Sequence, residues 1–140
     1  MNGMVVDASI AASWLLDDEV NETAAWSLER MQAGVRVYVP TLWLLEITNV
    51  MFTTERRKRI DRRQREEALG RVERLPVNFL AAPSPADLKI LQLYMERHRL
   101  TAYDAEYLRV AKEQNLLLAT LDGDLIAAAK KENVQVATAP

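Results

Sequence analysis

Four short apolar runs, separated by longer amphipathic stretches, constrain this chain more than any other feature. Met4-Val5-Val6, Arg36–Val39, Val77–Ala81 and Leu116–Ala119 have the length and apolar character of buried strands. Between them the helical period returns over Ala8–Leu16, Asn21–Ala33, Thr41 to about Arg57, and Asp61–Leu75. Two more helices open at Ser84-Pro85-Ala86-Asp87 and at Thr101-Ala102-Tyr103-Asp104, each with the look of a capping box. Leu125–Glu132 reads as a last helix and Val134–Ala137 as a last short strand. Gly34 suits a helix C-terminus, while Pro40 and Pro76 stop the elements before them. Strands alternating with helices predict an α/β fold: a three-layer α/β/α sandwich around a central, mostly parallel sheet of four to five strands. A length of 140 residues suits a single domain over 1–140. In such sheets ligands bind beyond the carboxyl ends of the strands.

Composition narrows the chemistry available there. The chain has no Cys and one His, His98. Cys-ligated zinc, iron–sulfur clusters, thiol catalysis and disulfides are thereby excluded. Carboxylates are the natural material for a site, and they favour hard cations such as Mg²⁺ or Mn²⁺. A net charge of −2 describes neither a polybasic coat nor an acidic tail. The apolar N-terminal stretch is interrupted by Asp7 and has no Lys or Arg before it, and Leu42–Phe52 is too short to span a bilayer. The expectation is a cytoplasmic protein with no membrane segment.

Four carboxylates fall where a parallel sheet would gather them. Asp7 directly follows the first strand, and Asp122 follows the fourth in Ala119-Thr120-Leu121-Asp122. Glu46 lies inside the apolar stretch Leu42-Trp43-Leu44-Leu45-Glu46-Ile47, with Asn49 on the same helix face. Asp104 occupies the first turn of its helix. Each also has a plain structural reading. Asp7 suits a helix N-cap, Asp104 the partner of Thr101 in a capping box, and Asp122 and Asp124 the turn around Gly123. Glu46 suits a salt bridge to an Arg. Convergence of all four needs a cause, because two carboxylates ~4 Å apart repel by roughly 4 kcal/mol at a surface-like dielectric. A divalent cation reverses that sign.

Taken together, Val5-Val6-Asp7-Ala8-Ser9, Pro40 through Glu46 to Asn49, Leu100 through Asp104 to Leu108, and Thr120-Leu121-Asp122 resemble the PIN-domain nucleases, in particular the VapC-like toxins of type II toxin–antitoxin systems. No single piece is specific; the ordered set is. The resemblance implies a compact α/β/α fold and Mg²⁺- or Mn²⁺-dependent endonucleolytic hydrolysis of RNA by metal-activated water. The products would carry a 5′-phosphate and a 3′-hydroxyl. By match to the motifs, Asp7, Glu46, Asp104 and Asp122 would form both the catalytic and the metal-binding set. Asp7 and Asp104 would ligate directly, Glu46 and Asp122 through water. Ser9, Asn49 and Thr120 stand where they would hold these carboxylates, and Asp124 is a spare acid. The implied partners are RNA, a cognate antitoxin and a second copy of the chain, with Trp14, Leu15, Leu42 and Leu45 as groove residues. The alternative is a catalytically inactive PIN-like module that binds RNA or protein. An Asp-x-Asp phosphatase reading of Asp122-Gly123-Asp124 is weaker, since that motif belongs near the start of its domain.

Glu55–Arg65, ERRKRIDRRQR, carries seven basic and two acidic residues, a local +5 against −7 for the rest. It reads first as a solvated helical corner, and more sharply as a contact for RNA phosphates or a dock for an acidic partner. The three tryptophans are expected in the core, His98 at the surface of a helix end, and Tyr103 and Tyr107 packed along one helix face.

Overall fold

The computed structural model describes residues 3–140. Strand β1 (Met4–Val6) leads into α1 (Ala8–Leu15) and α2 (Glu22–Gln32). β2 (Val37–Val39) is followed by α3 (Leu42–Arg56) and α4 (Arg62–Val72). β3 (Val77–Phe79), a 3₁₀ turn (Pro85–Asp87), α5 (Leu88–His98) and α6 (Ala102–Gln114) precede β4 (Leu117–Ala119) and α7 (Gly123–Lys131). All strand pairings are parallel, in the order β3-β2-β1-β4. The expected α/β architecture, a four-stranded parallel sheet flanked by helices, is the one observed.

That order determines where helices go. The steps β1→β2→β3 run one way across the sheet, and β3→β4 returns the other way. Right-handed crossovers therefore place α1–α4 on one face and α5–α7 on the other. The direction reverses between β1 and β4, so a crevice opens beyond the carboxyl ends of these two strands. Asp7 N–H donates to the Ala119 carbonyl across that gap at 3.1 Å.

The local reasons follow the sequence closely. Val5, Val6, Val37, Val39, Leu118 and Ala119 are fully buried, as strands covered on both faces require. β3 is the edge strand, and its Asn78 and Phe79 are exposed. Gly3 has φ +150°, and a Cβ there would stand 2.6 Å from the Arg36 carbonyl oxygen, so only glycine lets the chain enter β1 beside β2. Gly34 follows α2 at φ +98°, as its sequence position implies. The expected strand Val134–Ala137 is reduced to one parallel bridge, Leu118 with Val136. Two backbone hydrogen bonds hold it, Leu118 N–H to the Gln135 carbonyl at 2.9 Å and Ala137 N–H to the Leu118 carbonyl at 2.8 Å.

The buried hydrophobic side chains form one contiguous cluster containing Trp43. Trp14 and Trp26 are only half-buried against it, and the Trp14 indole donates to the Ala24 carbonyl at 2.8 Å. Leu15 lies in the core and so is no groove residue. His98 is not at the surface: its side chain is 3% exposed, with Nε2 2.6 Å from Glu132 Oε2. α6 also carries a buried ion pair. Arg109 Nε and Nη2 meet the two carboxylate oxygens of Glu106 at 2.6 and 2.8 Å, and Nη1 reaches Glu113 at 2.9 Å.

Candidate metal-binding active site

Asp7 is the best-anchored of the four acids. It is buried and caps α1, its Oδ1 accepting from the Ile10 N–H at 3.2 Å. The plain N-cap reading is therefore correct, and incomplete. Ser9 Oγ donates to Oδ1 at 2.6 Å, and Thr120 Oγ1 donates to Oδ2 from the far side of the crevice. Ser9 Oγ and Thr120 Oγ1 accept in turn from the Leu121 and Asp122 N–H groups, each at 3.0 Å. The loops after β1 and β4 are thus laced through two hydroxyls onto one carboxylate. Ser9 and Thr120 stand in the holding positions expected of them; Asn49 makes no side-chain hydrogen bond among the described residues.

Glu46, half-buried on α3, has no basic partner among the described residues, so the salt-bridge reading fails. Its partner is Tyr107, whose hydroxyl donates to Oε1 at 2.6 Å. Thr101 caps α6 by accepting from the Asp104 N–H at 3.2 Å, but the Asp104 carboxylate does not complete a box and stands free of hydrogen bonds among the described residues. Asp122 caps α7, accepting from the Leu125 N–H at 2.9 Å.

Electrostatics ties these positions together. Burial raises the Asp7 carboxyl above its usual range, against the pull of its hydrogen bonds. Glu46 is raised by burial and by the charges of Asp7 and Asp104, the Tyr107 bond opposing. Asp104 is pushed up to about 6, by burial first and then by Asp122, Asp7 and Asp124. Each of the four acids therefore shares an electrostatic neighbourhood with at least one other, and Asp124 belongs to the same field. As arranged, no three His, Cys, Asp or Glu side chains among the described residues are close enough to hold an ion. The donor set nonetheless fits a hard divalent cation: it is all oxygen, carries several mutually repelling charges, and has no Lys or Arg paired with it.

Raised carboxyls make a stability prediction. A carboxyl near 6 in the folded chain and near 3.8 in the unfolded one binds its proton more tightly when folded. Folding is then favoured below about pH 4, and that contribution is lost as pH rises to 6. The full shift would correspond to about 3 kcal/mol, which half-exposure of Asp104 reduces to about 1 kcal/mol. Metal-free Asp104→Asn is expected to gain about that much at pH 7 and nothing at pH 4, read by urea denaturation at the two pH values.

Tyr107 is the partner of Glu46 that the sequence did not single out beyond packing. It lies one helical turn from Asp104, a spacing that places both on one face of α6. Its link to α3 spans 61 residues and has no local signature. Tyr103 departs from expectation too: it is 61% exposed and lines a cleft with Leu42, Leu45, Glu46 and Asn49.

A parallel α/β sheet whose order reverses between β1 and β4 defines a doubly wound class with its crevice at that reversal, and comparison narrows it. The PIN domain family model matches residues 4–131. The chain belongs to the PIN domain family, a family of nucleases. Its fold is shared with PAE2754 from Pyrobaculum aerophilum, at 24% identity and TM-score 0.69 over 90% of this chain and 84% of that one. FitAcB from Neisseria gonorrhoeae matches at 17% identity and TM-score 0.67, covering 96% of each chain. Mycobacterium tuberculosis VapC20, a sarcin-ricin loop cleaving toxin, matches at 20% identity and TM-score 0.68 over 99% and 100%. No curated protein sequence matches significantly.

Proposed function

We propose that this chain, as one PIN domain over 1–140, is a divalent-metal-dependent ribonuclease and the toxin of a toxin–antitoxin pair. The observation that carries the reading is the meeting of Asp7, Glu46, Asp104 and Asp122 in one field without a protein cation among them. Asp7 and Asp104 would bind Mg²⁺ or Mn²⁺ directly, with Glu46 and Asp122 acting through water. The bound ion would neutralise the acids, polarise a phosphoryl oxygen and acidify water. Ser9 and Thr120 fix the Asp7 carboxylate and Tyr107 fixes Glu46, and an ion would have to draw the acids closer than they stand. In this scheme Glu46 would accept the proton of the attacking water.

The test is cleavage of RNA with and without Mn²⁺, followed by mapping of the ends. Cuts with 5′-phosphate and 3′-hydroxyl ends that vanish in EDTA are expected; undiminished cleavage in excess EDTA overturns the reading. The loose spacing of the acids favours one second reading, an inactive PIN-like module that binds RNA or protein. Calorimetry showing no divalent binding would select it.

The toxin reading brings an antitoxin, a homodimer and a cytoplasmic setting as part of the proposal. Among the described residues no helix is long and apolar enough to cross a membrane. Leu44 gives α3 an exposed apolar side chain of the kind a partner covers.

The basic corner resolves into two parts. Arg59 pairs with Asp18 and Glu19, Arg62 with Glu66, Arg63 with Glu67, and Arg65 with Glu55. Arg56, Arg57 and Lys58 have no carboxylate partner among the described residues and end α3. These three are the proposed phosphate contacts. Replacing all three with Ala should lower the salt slope of single-stranded RNA binding by about 2, at about 0.7 per phosphate contact. Arg62→Ala with Arg63→Ala should barely move it. An unchanged slope in the triple variant excludes the role.

A further inference from the structure

Beside the acids lies a cleft that shares Glu46 with them and that the chemistry above otherwise leaves unused. It encloses 300 Å³ and is lined by Leu42, Leu45, Glu46, Asn49 and Tyr103. Leu45 is 75% exposed and Tyr103 61% exposed, unusual for large apolar side chains. The two come from different helices, α3 and α6, and each adjoins an acid of the site: Leu45 precedes Glu46, and Tyr103 precedes Asp104. Whatever fills the cleft therefore sits against the Glu46 carboxylate.

Resting on the nuclease reading, we propose that this cleft receives a nucleobase of the substrate strand, from a nucleotide flanking the scissile phosphate, stacked on the Tyr103 ring. Three observations choose a base over a protein side chain. The lining pairs a flat aromatic ring and aliphatic side chains with Asn49, whose amide is both donor and acceptor, as recognition of a base face and edge requires. Glu46 at its edge opens the cleft toward the site where the phosphodiester would lie. The helix also continues the track. Leu45, Asn49, Phe52 and Arg56 are spaced by four, three and four residues, one stripe along α3 that runs from apolar cleft to unpaired guanidinium. Along it Phe52 is 37% exposed, one ring face covered by the Glu55-paired Arg65 guanidinium 4.1 Å from its centroid. Aromatic faces alternating with cations are what a single strand of bases and phosphates engages. The cleft thus contributes to selection of the cut position, while the acids act on the bond.

The test compares wild type, Tyr103→Phe and Tyr103→Ala on single-stranded RNA carrying 2-aminopurine at the nucleotides flanking the mapped cut. Binding is read by fluorescence anisotropy and quenching in Ca²⁺, and cleavage is read in Mn²⁺. Quenching is expected with wild type and Tyr103→Phe and is expected to be lost with Tyr103→Ala, whose KM rises about ten- to a hundredfold. An abasic nucleotide at the stacked position should erase the difference between wild type and Tyr103→Ala. Equal KM and quenching for all three proteins overturns the proposal, as does an abasic substrate that still separates them. If Leu45→Ser and Tyr103→Ala leave RNA binding untouched but dissolve a dimer, the cleft belongs to a second copy and the proposal is overturned. Wild type that cleaves no RNA with any divalent ion removes the nuclease reading as well, so the two failures are told apart.

Discussion

Asp7→Asn is expected to lower divalent-dependent RNA cleavage by at least a hundredfold while leaving the chain folded. The amide keeps a carbonyl oxygen to cap α1 and accept from Ser9, so the helix start survives. The negative charge goes, and with it a ligand that two hydroxyls and a backbone N–H hold in place. Electrostatic stabilisation of this kind is commonly worth two to three orders of magnitude per group, about 3–4 kcal/mol. Burial also makes the charge costly without an ion. The variant should therefore be as stable as wild type or more so in EDTA, yet fail to gain stability on addition of Mn²⁺. In wild type, saturation at about a hundred times Kd should raise stability by about 2.7 kcal/mol. Thermal melts with and without Mn²⁺ check this beside the cleavage assay. An Asp7→Asn protein that cleaves as wild type does, or melts higher with Mn²⁺ as wild type does, would place the ion elsewhere.

Arg109→Ala is expected to be the most destabilising single replacement of a charged side chain, at about 3–5 kcal/mol. Arg109 is 5% exposed and Glu106 3% exposed, and they meet through two parallel hydrogen bonds. Removing the guanidinium leaves a buried carboxylate with nothing to compensate it. Replacing both residues at once, Glu106→Leu with Arg109→Met, should recover most of the loss, because apolar side chains of similar size do not carry that desolvation cost. Urea denaturation of the three variants forms the cycle. A single Arg109→Ala that costs under 1 kcal/mol would show that Glu106 finds water or another partner.

Much of this architecture can be read from residue pattern. The strands announce themselves by short apolar runs, and Asp61 with Gln64 closes the capping box that opens α4. Helix ends are less legible where the chain does not use glycine. Arg99 and Asn115 both take left-handed backbone, at φ 53°, to end α5 and α6, a role composition assigns to glycine first. The acids could be found because a carboxylate in an apolar stretch or at a strand end needs a reason. What holds them could be found only in part. Ser9 lies two residues from Asp7, but the Tyr107 hydroxyl reaches Glu46 across 61 residues. The same distinction runs through the basic corner. Arg62 with Glu66 and Arg63 with Glu67 are i, i+4 pairs visible in the sequence, whereas Arg59 finds Asp18 across 41 residues. His98 looked like a surface residue among charged neighbours and is instead enclosed beside Glu132, because α7 packs back toward the end of α5.

The lacing of Thr120 onto Asp7 joins residues 113 positions apart. During translation, β1 emerges long before β4 exists to flank it, and Asp7 spends that interval without its distal clasp. Assembly of the acidic centre is thus postponed until nearly the entire fold has left the ribosome. Nascent or prematurely terminated chains that stop short of Thr120 therefore lack that clasp.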